Sequence, residues 1–150
     1  MPSASNTAKK LYITALIPMY LGSLVYSFMP RFLPYHATAI GKQWNELDHH
    51  LQILIISALN ACGALLLGCT IAITVLLAIP FRRGELWASW AITGLGCFSL
   101  LSVIRAAVHV DLYTPANPPW PALLVIIALF IAGLVCQLAH TKNTKTQSQN

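Results

Sequence analysis

Residues 51–79 read LQILIISALNACGALLLGCTIAITVLLAI, 29 positions without Asp, Glu, Lys, Arg or His. At about 1.5 Å per residue, a helix of that length exceeds the ~30 Å hydrocarbon layer of a bilayer and must tilt or protrude. Pro80 marks its end. Working outward, similar runs occupy about residues 11–29, 87–110 and 121–139. Composition agrees: 57% of the 150 residues are hydrophobic, 9% are charged, and the mean hydropathy is +0.66. A soluble domain of this size carries more surface charge. The expected fold is an all-α integral membrane protein, an antiparallel bundle of four transmembrane helices in a single domain over residues 1–150. A polar tail at 140–150, HTKNTKTQSQN, has too little apolar surface to fold by itself.

Positive charge sets the expected orientation, because cytoplasmic flanks retain Lys and Arg during insertion. Lys9 and Lys10 precede the first span, Arg82 and Arg83 link the second and third, and Lys142 and Lys145 follow the fourth. In a four-span chain these segments share one side. The opposite side has Arg31 and Lys42 diluted by Glu46 and Asp48, then Asp111. Both termini are therefore expected in the cytoplasm of a cell with a multi-pass inner-membrane protein. The net charge of +5 reads as topology, and nucleic acid is not an expected partner. The first run is too long for a typical signal-peptide h-region and lacks an A-x-A site, so it is read as a span. Pro18 and Gly22 lie within it, where a bend or a close neighbour is expected.

Small residues mark the expected helix contacts, since lipid-exposed helices associate where backbones approach closely. The second span offers Ser57, Ala61 and Ala64 with Gly68 four later, the third Gly94, Gly96, Ser99 and Ser102, and the fourth Ala128, Ala132 and Gly133. Asn60 is expected to face a neighbouring helix, as an unpaired amide in hydrocarbon is costly. Cys62, Cys69, Cys97 and Cys136 form no C-x-x-C pair and read as small apolar residues without a disulfide.

The loop at 30–50, PRFLPYHATAIGKQWNELDHH, contains His36, Glu46, Asp48, His49 and His50, and the last loop adds His109 and Asp111. His36, Glu46, Asp48, His49 and Asp111 form a candidate polar cluster on the outer face. No H-x-x-x-H or H-x-H spacing supports a metal, and none is expected. A structural reading also holds: Asn45 caps a helix whose first turn carries Glu46 and Asp48, with Trp44 at headgroup level.

The third span carries Arg105. Steps of three, three and four place Ser99, Ser102, Arg105 and His109 on one broad helix face. Arg105 either snorkels to the headgroups or pairs with an acid such as Glu46, Asp48 or Asp111. Alternatively, the stripe lines a cleft for an anionic or carbonyl-bearing ligand.

The stretch LPYHATAIGKQW, with Tyr35, His36, Gly41 and Trp44 ahead of a glycine-containing apolar span, resembles small bacterial inner-membrane proteins of the broad DoxX-like four-helix kind. The resemblance implies a bacterial membrane protein accessory to a redox or envelope complex, and implies no reaction. Small multidrug exporters need a buried acid in the first span, and the membrane glutathione-transferase group needs Arg and Glu in the second; neither is present.

Three functions follow. The leading one is a non-enzymatic subunit or interaction protein, partnered by the lipid bilayer and by another membrane protein or a second copy of the chain. The next is a binder or transporter of a small amphipathic molecule such as a quinone or lipid, and the third is a membrane redox accessory protein. No cofactor is required, with quinone and haem left open.

Overall fold

The computed structural model describes residues 4–147, apart from the side chains of Lys145 and Gln147; the last three residues of the polar tail lie outside the described residues. Among the described residues the chain is all-helical, with α1 (Asn6–Phe28), α2 (Pro34–Ile40), α3 (His49–Ala78), α4 (Leu86–Tyr113) and α5 (Trp120–Gln147). Four of them, α1, α3, α4 and α5, are long and apolar enough to cross a membrane.

Local chemistry sets the helix ends. Ser5 caps α1, its side chain accepting from the Ala8 amide at 3.4 Å. The helix stops where Met29 precedes Pro30, a position that disfavours helical backbone. Asn45 is not the cap of α3. It lies inside a short 3₁₀ turn, Trp44–Glu46, closed by the Glu46 carboxylate accepting from the Gln43 amide at 2.7 Å. Leu47 then buries its side chain beside Phe32 and Ala37, which delays the helix until Asp48 accepts from the His50 amide at 2.9 Å. Pro121, one residue into α5, sits where its missing amide hydrogen costs nothing.

The polar tail departs from expectation, because α5 continues through Gln147. A helix already nucleated by an apolar span extends by adding one bond per residue, so polar residues need no core of their own. The Ser5 amide donates to Gln137 Oε1 at 2.8 Å, tying this part of α5 to the start of α1, and Thr141 is buried there.

α1 packs on α3 and α5, and α4 packs on α3 and α5. The main buried cluster joins α1 from Ala8 to Met19, the end of α3 and Phe81 after it, α4 from Ala88 to Leu100, and Ile126 and Phe130 of α5. Tyr12, Phe81 and Phe130 are each at most 1% exposed, with Tyr12 and Phe81 rings edge to face at 5.6 Å. Glycines make room for these rings: a Cβ on Gly133 would stand 2.6 Å from Tyr12 and one on Gly96 2.7 Å from Phe130. The Tyr12 hydroxyl lies 3.2 Å from Thr93 Oγ1, which itself donates to the Phe130 carbonyl at 3.3 Å.

α1 and α3 approach closely at Gly63, where an added Cβ would run into the Tyr26–Ser27 backbone. Ala64 and Gly68 take no part in this approach; both are exposed, and a Cβ on Gly68 would meet nothing within 4 Å. Gly63, Thr70, Ile73 and Leu77 are the buried positions of α3, and Ala64 and Gly68 are turned more than a right angle from Gly63. Gly22 in α1 likewise has no close neighbour. Asn60 is half-buried, yet its Oδ1 is buried without a hydrogen-bond partner, as are Ser27 Oγ and Ser89 Oγ.

Candidate functional site

Two regions carry the polar and aromatic chemistry singled out by the sequence: the later half of α4 and the segment from the end of α1 to the start of α3.

On α4, Ser99, Ser102, Arg105 and His109 share a face as their spacing requires, and that face points away from the other helices. Ser102, Arg105 and His109 are exposed and Ser99 is half-buried. The serines bond inward to their own helix, Ser99 Oγ donating to the Leu95 carbonyl and Ser102 Oγ to the Phe98 carbonyl at 2.9 Å. Each donor is thereby satisfied within its own helix. The His109 ring lies 4.6 Å from that of Tyr113. Arg105 makes no hydrogen bond or ion pair among the described residues. The acids expected to balance it make local bonds instead: Asp111 Oδ2 accepts from Trp120 Nε1 at 3.0 Å, Glu46 from the Gln43 amide and Asp48 from the His50 amide. The stripe is therefore a polar surface, with its guanidinium on the outside of the chain.

Between α1 and α3, the side chains form a layer of rings. The Tyr26 and Tyr35 hydroxyls bond to each other, and the His36 ring lies over that of Tyr35 at 4.0 Å. The Leu33 amide donates to His36 Nδ1 at 3.1 Å, an acceptor only while that nitrogen is unprotonated. Phe32 and Trp44 meet edge to face at 4.9 Å. Burial raises the Tyr35 pKa and lowers that of His36, so both groups stay neutral across the physiological range. Beside this layer lies an open hollow of about 580 Å³ rimmed by Arg31, Gln43 and Trp44 over Met29 and Phe32.

The candidate cluster of His36, Glu46, Asp48, His49 and Asp111 is not drawn into one place. His36 is held among aromatic rings, whereas Glu46, Asp48 and His49 are exposed. Among the described residues no three His, Cys, Asp or Glu side chains come close enough to hold a metal ion. None of Ser99, Ser102, Arg105 and His109 lines the hollow by Trp44, nor a second one between α1 and α3.

The residues that sequence reasoning passed over are tyrosines. Tyr12, Tyr20 and Tyr26 all direct their hydroxyls to named partners, Tyr20 meeting Thr74 Oγ1 at 2.8 Å and Tyr26 meeting Tyr35. The signal was available, since a phenol in an apolar span requires a partner. No protein-family model, curated protein or solved structure matches the chain.

Proposed function

We propose that the chain is a multi-pass protein of a bacterial inner membrane, an antiparallel bundle with both termini cytoplasmic, and that it serves as a non-enzymatic subunit that docks another membrane protein along α4. The observation that carries this reading is the exposed Arg105, flanked by Ser102 and His109 and unpaired among the described residues. α4 spans about 42 Å, and Arg105 lies roughly 8 Å past its midpoint toward Tyr113. A guanidinium in the outer part of a bilayer is costly when bare, by up to about 3 kcal/mol near a span centre. A partner helix offering a carboxylate or free carbonyls relieves that cost, and the planar fork of Arg gives the contact direction.

The positive-inside argument supports the orientation: Lys9 and Arg82 share a hollow, so two of the three basic segments lie together. A DoxX-like resemblance fits a subunit role.

The test is a photo-crosslinking amino acid placed at Ser102, compared with one at Val125, which is 62% exposed on α5. A discrete protein adduct is expected from Ser102, lost on Arg105→Ala and absent from Val125. An adduct to a second copy of the chain identifies the partner as itself. Lipid or quinone adducts alone from Ser102 refute the docking role and favour an amphipathic ligand.

A further inference from the structure

The second hollow lies between α1 and α3 at the end of the molecule that bears Lys9 and Arg82. Its volume is about 360 Å³, within the ~300–1,000 Å³ of small-molecule sites. Lys9 is the fourth residue of α1, and Arg82 lies four residues beyond the last of α3, so both side chains stand at one end of an interhelical trench. Neither makes an ion pair among the described residues. No Asp or Glu lines the hollow, and Glu85, the nearest acid in sequence, accepts from Trp87 Nε1 at 2.6 Å.

Below the cations the lining turns apolar. Leu77 is buried in the floor, while Ile13 and Ile17, 43% and 57% exposed, form a wall. At the far end the hydroxyls of Tyr20 and Thr74 are spent on each other, and Thr74 also donates to the Thr70 carbonyl at 2.9 Å. That end therefore offers no free donor to water, and the trench grades from cationic to alkyl over about three turns of α1.

We propose that this groove seats an anionic phospholipid, its phosphate between Lys9 and Arg82 and an acyl chain along Ile13, Ile17 and Leu77. The proposal rests on the membrane reading above and is independent of docking along α4. Basic pockets between membrane helices attract anionic headgroups, each Lys or Arg adding roughly fivefold in affinity. A zwitterionic lipid brings its own cation and gains little from the pair. Free phosphate uses the cations alone and leaves the trench uncovered.

The experiment uses the full chain purified in detergent, with thermal unfolding measured after adding phosphatidylglycerol, phosphatidylcholine or inorganic phosphate, and with native mass spectrometry to count retained lipid. Phosphatidylglycerol is expected to raise the unfolding temperature and to leave one bound lipid; the other two are not. Lys9→Gln and Arg82→Gln are each expected to weaken that effect about fivefold, and about thirtyfold together. Lys10→Gln, outside the groove, is expected to leave it unchanged. Ile17→Trp, which fills the trench and keeps both charges, is expected to abolish the retained lipid. A full shift with phosphate alone shows a free-anion site and overturns the proposal. So does equal response to phosphatidylcholine, or a Lys10→Gln loss as large as that of Lys9→Gln. Carbonate extraction of cell membranes tests insertion separately: a protein that resists extraction but shows no preference for phosphatidylglycerol loses the lipid seat and keeps the membrane reading.

Discussion

Gly63→Ala, set against Gly68→Ala, tests the central packing claim. Both positions lie in the same 30-residue helix, so the helix-propensity gain from replacing glycine, about 1 kcal/mol in soluble hosts, is common to both and cancels in the difference. What remains is the contact. A Cβ on Gly63 would sit 2.5 Å from the Tyr26 carbonyl carbon and 2.8 Å from Tyr26 Cβ. Carbon atoms rest at about 3.5–4.0 Å, so α1 and α3 would have to part by roughly 1 Å, and the obstructing atoms are mostly backbone that no rotamer moves aside. Overpacking of this kind costs about 1–3 kcal/mol. At Gly68 the same methyl enters open space, and the substitution should be neutral or stabilising by up to about 1 kcal/mol. Reversible unfolding in mixed detergent and SDS micelles, followed by circular dichroism, measures both variants. Gly63→Ala should be the less stable by about 1–3 kcal/mol. Equal stabilities, or a reversed order, would refute the placement of α3 against α1 and restore Ala64 and Gly68 as the contact face.

Asn60→Leu removes a buried oxygen that has no partner, and should leave the protein as stable or up to about 3 kcal/mol more so; a loss in the same unfolding assay would show that the amide holds helices together. His36 has its pKa lowered from 6.5 by burial, so the folded protein binds fewer protons than the unfolded chain. The stability it contributes is complete above pH 6.5 and falls as pH drops below that value toward the depressed folded pKa. Histidine NMR should show His36 titrating below pH 6.5, and His36→Gln should remove this acid sensitivity; a midpoint above 6.5 contradicts the buried, neutral ring. Arg105→Leu should change the unfolding free energy of the isolated protein by no more than about 0.5 kcal/mol, because the guanidinium holds nothing among the described residues. A larger loss would expose an ion pair.

The four long apolar helices were legible because run length against bilayer thickness is a one-dimensional property. Their ends shifted where a cap or a continued helix intervened: α1, capped by Ser5, starts at Asn6, five residues before Leu11, and α5 runs past Ala139 into the polar tail. The packing face of α3 was not legible. The helix is apolar all round, so no stripe separates Gly63 from Gly68, and both look like contact residues. Only the position of α1 distinguishes them. The stripe on α4 was legible as a stripe, since spacing alone puts Ser99, Ser102, Arg105 and His109 together, but which way it points depends on where α3 and α5 lie.

That direction matters because polarity is treated differently in the two parts of the protein. Around Tyr12 most polar atoms are closed upon each other: the phenol meets Thr93, Thr93 meets the Phe130 carbonyl, and Gln137 meets the Ser5 amide. A buried network of that kind favours one arrangement of its helices, because each group that loses its partner is costly in low dielectric. Arg105 is the opposite case. Asp111, Glu46 and Asp48 are committed to Trp120, Gln43 and His50, and Glu85 to Trp87. These are all the acids of the chain, which has four Asp and Glu residues. None of them reaches Arg105 among the described residues. Under the proposed docking role, the counterpart of Arg105 is supplied from outside the chain, by lipid headgroups or by a partner. The inward-turned hydroxyls of Ser99 and Ser102 leave a surface that a helix backbone can approach closely, which a snorkelling arginine alone does not require.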